Sequence, residues 1–504
     1  NKMKKYFYFM TKNNHWYDVA VKLKDENIAE PILWLGDHNL YSRAKSKFGE
    51  EVVKDFDFYK FKSHKISGLK YDGKYNNFFM SDTYLITKDR VLKMMDRLDD
   101  ISMMSRLDRE TIFNNTVLWT LDKIEKQRPD ALITVEAPHT HIYYTIFQIC
   151  KFLNIPCFKF SSWTHLPLLS IHNAINNKIL PVNIGIEKKY NEILLKAINE
   201  FVNNIYNSSQ NYSTHHTEVL RLTSKSNSWK LQQTILLLKD IFRKYKSKSH
   251  YLESKQYNPL NPFKFNSLKR LKLINTRRKN LTDELKMNKN DSVSLEEKFV
   301  YFGLHYEPER TTLPDGGIFH DQFLAILKLR ELVPNNIKIY IKEHPSIFYK
   351  STWGYRGRSP IFYNLLNNIY NVQILSNEHE SLELIRASMF TATISGTVGF
   401  ESAVIGKKAL IFGDCWYKGC PNTVTWSENL EFTSLINKKL SDKNEIIDFI
   451  KLKLENESVL GNHNSTTELR FNNFVSENFI GEDFNNLQLQ GIYNLLKETL
   501  TSKI

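Results

Sequence analysis

The sequence contains no apolar run that approaches the roughly 18 residues needed by a membrane-spanning helix. Its N-terminal stretch, Asn1 to Met10, has a basic start and a short apolar run but no small-residue cleavage site. A first β-strand is therefore expected there, not a signal peptide. Disorder is excluded as well, because contents of 41% hydrophobic and 13% aromatic residues are typical of globular proteins. At 504 residues the chain is long enough for two or three domains.

Cysteine is also scarce. The four cysteines, Cys150, Cys157, Cys415 and Cys420, form no metal-ligand pattern with nearby histidines. This usage favours a reduced, cytoplasmic protein.

No zinc-finger or RNA-recognition signature accompanies the net charge of +14, so nucleic acid is not an expected partner. The charge has a local source between Lys239 and Lys279, hereafter the basic segment. Its further cations are Arg243, Lys244, Lys246, Lys248, Lys255, Lys264, Lys269, Arg270, Lys272, Arg277 and Arg278. Aromatic residues interleave with them. Two interpretations stay open: a solvated linker, or a surface for anionic lipid or polymer, which would hold the protein on the inner face of the membrane.

Strand-like and helix-like segments alternate through the first half. Strands are predicted at 5–11, 31–37, 131–135 and 155–160, and helices at 111–126 and 140–153. This order is typical of βαβ units, whose parallel strands place ligands at their C-terminal ends. The segment from about 187 to 248 is expected to be mostly helical.

A second alternating series begins near Lys298. Strands are predicted at 299–304, 337–341, 372–375, 389–394 and 409–413, and helices at 321–332, 360–369, 380–387 and 485–500. The predicted organisation is a Rossmann-like domain with a helical extension at 1–238, a basic linker or excursion at 239–296, a second Rossmann-like domain at 297–480, and a C-terminal helix at 481–504 that packs back on the first domain.

The most informative motif is Ser395-Gly396-Thr397-Val398-Gly399-Phe400-Glu401, which lies between two predicted strands. A small-residue turn that opens a helix presents unpaired N–H groups and the positive end of the helix dipole, which suits a phosphate. Glu401, farther along the helix, is placed for a ribose hydroxyl. Taken alone, such a turn is more often plain αβ packing.

A cation and an imidazole follow the predicted strand 337–341, as Lys342-Glu343-His344-Pro345. His-Pro is first of all a turn signal, because proline biases the residue before it away from the helical region. Together with the Ser395 turn in the same half of the chain, these residues favour a nucleotide-sugar site.

The motifs resemble those of the bacterial capsule-polysaccharide biosynthesis proteins, which include retaining transferases of 3-deoxy-manno-octulosonic acid. The resemblance rests on residues 301–309, 342–346, 395–401 and 406–413, with Trp416-Tyr417 after them. It is specific over about 299–426 and looser in the first half, where it rests on the loop Glu136-Ala137-Pro138-His139.

The resemblance implies an α/β fold of GT-B type, with two Rossmann-like domains and a cleft between them. It implies a metal-independent glycosyltransferase without a cofactor, which binds a nucleotide-sugar donor in the second domain. CMP-linked ulosonic acid is favoured as the donor and a UDP-sugar is the alternative. The acceptor would be a capsular or surface polysaccharide or its lipid-linked precursor, bound against the first domain.

Transfer of this kind leaves negative charge on the departing phosphate, which cations and backbone amides must stabilise. The candidate donor-binding residues are His305, Arg310, Lys342, His344, Ser395, Gly396, Thr397 and Glu401. His344 is also a catalytic candidate. A surface lysine at 342 and a loop-packing histidine at 305 are the structural alternatives.

The acceptor hydroxyl needs a base, and the catalytic candidates in the first half are Glu136 and His139, which follow a strand end. Asp37 and Asp108 are further candidates. Helix capping is the structural alternative for Glu136.

Two other functions stay open at this point. One is a polyol-phosphate transferase of the teichoic-acid type, which resembles the same His-Pro and Ser/Thr-turn arrangement. The other is a non-catalytic subunit that binds an anionic polymer.

Overall fold

The computed structural model describes residues 2–11, 13–36, 38–49, 52–54, 72–98, 105–183, 185–208, 235, 265–290, 293–307, 312–348 and 354–502. The chain forms two compact units. Unit 1 comprises Asn1–Lys196 with Lys451–Ile504, and unit 2 comprises Ala197–Ile450. Among the described helices, none is both long enough and apolar enough to cross a membrane.

Unit 1 is built on a mostly parallel sheet. Its strands are β1 (Lys4–Thr11), β2 (Ala29–Gly36), β3 (Val52–Lys54), β4 (Ala131–Thr134), β5 (Cys157–Ser162), β6 (Leu168–Asn173), β7 (Lys178–Ile179) and β15 (Val459–Leu460). Their order is β15-β6-β5-β4-β1-β2-β3, with β7 beside β6. β1 to β5 are parallel, whereas β6 and β15 are antiparallel additions at one edge.

The helices that begin or end in unit 1 are α1 (Asn14–Asp25), α2 (His38–Phe48), α3 (Asn76–Phe79), α4 (Asp82–Leu98), α5 (Arg106–Gln127), α6 (His141–Phe152), α7 (Lys188–Asn207), α14 (Lys443–Glu457), α15 (Ser465–Asn478) and α16 (Phe484–Ser502). The C-terminal helix α16 packs on α1. The Lys22 Nζ donates to Gln490 Oε1 at 3.1 Å and lies 4.0 Å from the centre of the Tyr493 ring. The end of the chain is therefore part of the first unit.

Unit 2 contains a second, fully parallel sheet. Its strands are β8 (Lys289–Asn290), β9 (Phe299–Gly303), β10 (Lys338–Lys342), β11 (Val372–Leu375), β12 (Phe390–Thr393), β13 (Ala409–Ile411) and β14 (Thr423–Thr425). Their order is β14-β13-β12-β9-β10-β11-β8. The helices are α8 (Phe265–Asn288), α9 (Gln322–Leu332), α10 (Phe362–Asn367), α11 (Ser381–Ala387), α12 (Thr397–Ile405) and α13 (Phe432–Asn437), with short 3₁₀ turns at Gly317–His320, Pro345–Phe348 and Gly354–Arg356.

The strands of unit 2 are apolar on both faces because both faces are covered. In β9, Val300 and Phe302 enter one buried cluster, whereas Phe299 and Tyr301 enter a second on the opposite side. Alternate side chains point to opposite faces of a strand, so a near-continuous apolar run is what a doubly covered parallel sheet requires. The α/β class with two Rossmann-like sheets, predicted from the sequence, is confirmed. The cleft between them stays a prediction.

The division between the units differs from the predicted domain bounds of 1–238 and 297–480. Residues after 450 return to unit 1, because β15 pairs with β6 through Val459↔Leu169. Residues after 196 pack with unit 2, where the Phe201 ring stacks on Phe400 with centroids 5.8 Å apart. Both boundaries thus fall inside helices, α7 and α14, which carry no composition signal for a linker.

The predicted basic linker at 239–296 holds only in part. Residues 239–264 lie outside the described residues, so their proposed membrane contact stays a prediction. From residue 265 the chain forms α8, whose Leu281 and Leu285 are buried in the core of unit 2. Arg277 on the same helix donates to the Arg358 carbonyl at 3.0 Å. This part of the basic segment is structural.

Candidate functional site

The sheet of unit 2 reverses its winding direction between β9 and β12. These two strands are parallel neighbours through Phe302↔Ala392, although α9 to α11 and two further strands separate them in sequence. In open α/β sheets, the crevice at the C-terminal ends of the strands that flank such a reversal is where ligands bind. His305 follows the C-terminal end of β9, and Ser395 follows the C-terminal end of β12. The predicted Ser395 turn therefore lies at the crevice where the winding reverses.

The Ser395 turn is held from below by two side chains. The Ser395 N–H donates to His305 Nε2 at 3.1 Å, and the Gly396 N–H donates to Thr393 Oγ1 at 3.2 Å. Helix α12 then begins at Thr397 with Gly396 as its N-cap and without a side-chain cap. The Gly399 N–H donates back to the Gly396 carbonyl at 3.1 Å, which leaves the Thr397 and Val398 amides without a partner within the helix, and the helix dipole adds positive charge there. This end of α12 is suited to an anion.

His305 supports the turn and is a poor cation. A backbone N–H can only donate, so Nε2 must accept and the imidazole is neutral with its proton on Nδ1. Burial, with a smaller effect of the Arg358 guanidinium, lowers the pKa of His305 to about 4. The predicted direct contact between His305 and a donor phosphate therefore stays a prediction, and the neutral ring holds the turn in place by accepting from the Ser395 N–H.

Two glycines allow α12 to lie close to the sheet. A Cβ on Gly396 would come within 2.8 Å of Thr393 Oγ1, and one on Gly399 within 2.7 Å of Ile411 Cδ1. The packed structure therefore has no room for a side chain at either position. The small residues of the motif are thus required by packing as well as by any ligand.

His344 follows β10, next to β9 in the sheet. Its Nδ1 accepts from the Ser346 N–H at 3.2 Å, so the proton of a neutral His344 lies on Nε2. The ring is half-buried and lies 5.9 Å from that of Tyr306. Since neighbouring strands lie about 4.8 Å apart, His344 and the Ser395 turn are two strands, on the order of 10 Å, from each other.

The loops after β9 and β10 are fastened by Arg358, which sequence reasoning missed. Its Nε donates to Glu343 Oε2 at 2.8 Å and its Nη2 to the His305 carbonyl at 2.7 Å. The Glu343 carboxylate also accepts from the His344 N–H at 2.7 Å and from the Tyr363 hydroxyl at 2.9 Å. Both charged side chains are essentially buried, at 4% and 0% exposure. This pair sets the positions of the His305 and His344 loops relative to each other.

Lys342 and Glu401 form a second buried polar cluster beside the turn. Lys342 Nζ donates to Ser381 Oγ at 3.1 Å and to the His379 carbonyl. The structural alternative of a surface lysine is wrong, since the residue is 6% exposed. Burial lowers the pKa of Lys342 to about 8, against the Glu380 and Glu401 carboxylates, which raise it.

Glu401 is equally enclosed. Burial raises the pKa of its carboxyl from 4.5 to about 7, and the Lys342 charge opposes that rise. Both groups therefore change protonation close to neutral pH. The folded state binds the Glu401 proton more tightly than the unfolded chain, so its contribution to stability falls as pH rises from about 4.5 to about 7. A ligand that donates hydrogen bonds to this carboxylate would favour its ionised form.

In unit 1, the winding reverses between β1 and β4, and Glu136 follows β4. The Glu136 carboxylate lies 3.4 Å from His463 Nε2 and accepts from Asn464 Nδ2 at 3.3 Å, and it is buried. It does not cap α6, whose N-cap is Thr140, so the capping alternative is wrong. The loop 462–464 that meets Glu136 was missed, because it lies more than 300 residues away in sequence.

The remaining predicted residues of the site are distributed as follows. His139 is half-buried, and its Nδ1 lies 2.9 Å from the Ala137 carbonyl oxygen. Asp108 forms a capping box with Ser105 at the start of α5, which gives it a structural role. Asp37 and Arg310 lie outside the described residues. Among the described residues, no three His, Cys, Asp or Glu side chains group as metal ligands; metal independence stays a prediction.

Comparison with known proteins agrees with the motifs. Residues 213–461 match the family model of the capsule polysaccharide biosynthesis proteins. The resemblance predicted from the sequence is thereby confirmed for this part of the chain. Among curated proteins, none matches the sequence.

Solved structures give a weaker likeness. The KpsC β-Kdo 2,7-transferase of Thermosulfurimonas dismutans is 13% identical over 75% of this chain and 94% of its own, with a TM-score of 0.27. The β-Kdo 2,4-transferase of KpsC from the same organism is 13% identical over 64% and 88%, with a TM-score of 0.24. The UDP-GlcNAc 2-epimerase of Neisseria meningitidis, bound to UDP-GlcNAc, is 13% identical over 99% of each chain, with a TM-score of 0.20. Scores this low carry no argument about function.

Proposed function

We propose that this chain, whose residues 213–461 match the family model of the capsule polysaccharide biosynthesis proteins, is a metal-independent glycosyltransferase. It transfers a sugar from a nucleotide-activated donor, with CMP-linked ulosonic acid favoured over a UDP-sugar. The acceptor is a capsular or surface polysaccharide, or its lipid-linked precursor.

One observation carries the proposal. At the winding reversal of unit 2, the amides that open α12 follow β12, His344 follows β10 two strands away at the same edge of the sheet, and Glu401 lies in α12 itself. An anion-binding helix end, a nearby N–H donor and a buried carboxylate match the phosphate and the ribose of a nucleotide. Each group alone has a structural explanation, but their meeting at one crevice supports a nucleotide site.

In this mechanism, the α12 amides and His344 stabilise the charge that develops on the leaving phosphate. Glu401 accepts hydrogen bonds from the ribose hydroxyls. Lys342 takes a different role from the predicted one, because its ammonium is enclosed by Ser381 and the His379 carbonyl. It balances the charge of Glu401 and does not reach the phosphate. In unit 1, Glu136 is the candidate base for the acceptor hydroxyl.

The proposal is tested by a screen of CMP-, UDP-, GDP- and CDP-linked donors for thermal stabilisation, followed by product analysis. One donor class is expected to raise the melting temperature and to be consumed when acceptor is added. A glycosidic product supports the proposal, whereas a phosphodiester product assigns a polyol-phosphate transferase. If a donor binds but is not consumed under any condition, the remaining interpretation is a non-catalytic subunit that binds an anionic polymer.

Replacing His344 by alanine is expected to slow transfer at saturating donor by about 10²–10³, the effect of losing one preorganised donor to a developing oxyanion. The melting temperature should stay close to that of the wild type, because the ring is half-buried. His344→Gln, which keeps an N–H group near the position of Nε2, should recover part of the rate. His379→Ala, a half-buried histidine in the loop after β11, is the control. An unchanged rate in His344→Ala excludes this role.

Donor affinity is expected to rise as pH increases through about 7, because the ionised Glu401 accepts two hydroxyl donors better than the protonated acid. Glu401→Gln should remove this pH dependence and weaken binding more than it slows turnover at saturation. Calorimetry from pH 6 to about 8.5 measures the donor affinity of the wild type and of Glu401→Gln. Protonation of the nucleotide itself affects both proteins equally, so it cancels when their affinities are compared. A similar pH dependence in Glu401→Gln contradicts the assignment.

A further inference from the structure

Unit 1 contains a pocket of about 570 Å³ that the nucleotide site does not use. It is lined by the start of α1, by Leu40 on α2, by Glu468 on α15, and by Asp483 with the first two turns of α16. This volume lies within the range of about 300–1,000 Å³ that is common for small-molecule sites. The start of α1 follows β1 directly, so the pocket lies at the ligand-binding edge of the sheet.

The lining combines amides, carboxylates and two apolar patches. Its carboxylates belong to Asp18, Glu468 and Asp483, and its amides include Asn13 and Asn486. Asn13 Nδ2 donates to Glu468 Oε2 at 2.9 Å, which fixes that carboxylate toward the start of α1. Leu40 and Leu489 supply apolar surface. Planar groups that both donate and accept, next to small apolar surfaces, suit the hydroxyls and the C–H faces of a pyranose ring.

His15 adds a hydrogen-bond acceptor to the lining of the pocket. Its Nε2 lies 2.8 Å from the Asn462 carbonyl oxygen, so Nε2 carries the proton and Nδ1 is an acceptor. The side chain lines the pocket and is 8% exposed, and Nδ1 has no hydrogen-bond partner among the residues that the structure describes. Because the ring faces the pocket, Nδ1 is an acceptor that a hydroxyl group of a bound sugar can reach.

The lining of the pocket is acidic, whereas the chain as a whole is basic. Against a net charge of +14, the described residues that line it include three carboxylates and no lysine or arginine. The Arg43 guanidinium lies 3.4 Å from Asp18 at the rim. A phosphate or an acidic sugar would meet like charge here, which costs binding energy.

We propose that this pocket binds a hydroxyl-rich pyranose that carries no negative charge, with the strongest binding for an amino sugar. Its assignment to the terminal residue of the acceptor glycan rests on the function proposed above, whereas sugar binding itself does not. Any negatively charged sugar in the product would then come from the donor, and the terminal sugar of the acceptor would be neutral or cationic.

Three probes that share one ring test this proposal: glucosamine, glucose and glucuronate, titrated slightly below neutral pH and followed by ligand-observed NMR. Glucosamine is expected to bind most tightly, and glucuronate at least about tenfold more weakly than glucosamine, which corresponds to about 1.4 kcal/mol. Glu468→Gln and Asp483→Asn should each weaken the binding of glucosamine severalfold. Each should also reduce the ratio between the affinities for glucosamine and glucuronate. Asparagine at 483 still caps α16, so the fold is preserved.

Glu477→Gln is the matched control, because Glu477 is an exposed acid on the same helix as Glu468 and does not line the pocket. Equal or tighter binding of glucuronate overturns the proposal, and so does glucosamine binding that neither pocket variant changes. Failure of all three sugars to bind also overturns it. The donor screen is independent of these results. If a nucleotide sugar stabilises the protein but no sugar binds in this pocket, only the present inference is refuted. If no nucleotide sugar stabilises the protein, the proposed function is refuted.

Discussion

Glu136→Gln is expected to slow sugar transfer by about 10²–10⁴, the contribution of a positioned general base. Glutamine has nearly the same shape and its oxygen can still accept from Asn464, so the packing around His463 should persist. Nucleotide-induced stabilisation and the melting temperature should both stay close to the wild-type values. Steady-state transfer rates, with thermal unfolding in the presence and absence of donor, measure the three quantities.

An exposed acid of the same unit provides the control. Glu125→Gln removes a carboxylate that pairs with Lys74 at the surface, and it should change neither rate nor stability. Normal transfer by Glu136→Gln would show that the base lies elsewhere. Asp108 is then an unattractive substitute, because its carboxylate is engaged in capping α5. Unfolding of Glu136→Gln would instead assign the carboxylate to holding the 462–464 loop.

Arg358→Ala is expected to lower the free energy of unfolding of unit 2 by about 3–5 kcal/mol. The substitution leaves the Glu343 carboxylate buried without its countercharge, and it also removes a donor to the His305 carbonyl. Thermal unfolding should show a fall in melting temperature on the order of 10 °C. Arg358→Lys keeps the charge but cannot reproduce the forked geometry, so an intermediate loss is expected.

Arg386→Ala serves as the control for Arg358. Arg386 is exposed in the same unit and donates to the carbonyls of Tyr206 and Ser208. Its loss should change stability by less than about 0.5 kcal/mol. A similar, small change for both variants would mean that water reaches Glu343 after the arginine is removed, and that the pair does not fasten the two loops.

Much of the fold could be predicted because its strands are buried on both faces. The run Phe299–Gly303 consists of apolar and aromatic residues before a glycine, and Phe390–Thr393 alternates apolar residues with β-branched threonines, which is enough to place strands. Three antiparallel strands, β6, β7 and β15, were missed. β15 has only two residues, and its pairing with β6 depends on a contact between distant parts of the chain, which local patterns do not carry.

The sequence is sufficient to place the candidate residues of unit 2 at strand ends but not to give their protonation, and their binding of a donor stays a prediction. The Ser395 turn and His344 lie at strand ends, where order in the sequence is sufficient to bring them to one crevice. The role of His305 depends on burial and on the Ser395 amide, which only the folded structure supplies. Arg358 gives no signal in the sequence, because an isolated arginine in a loop looks the same whether it is solvated or buried against Glu343.

Unit 1 is completed by strand β15 and helices α15 and α16, which the ribosome makes only after all of unit 2. During synthesis, unit 2 can fold as an insertion while the first sheet still exposes its β6 edge. Cleavage of the chain after residue 450 should accordingly damage the N-terminal unit, more than 250 residues away in sequence, before it affects its immediate neighbour. A rearranged gene in which the segment 451–502 precedes residue 2 would make each unit continuous, and would reveal whether the interleaved order serves folding or only the connection between the two units.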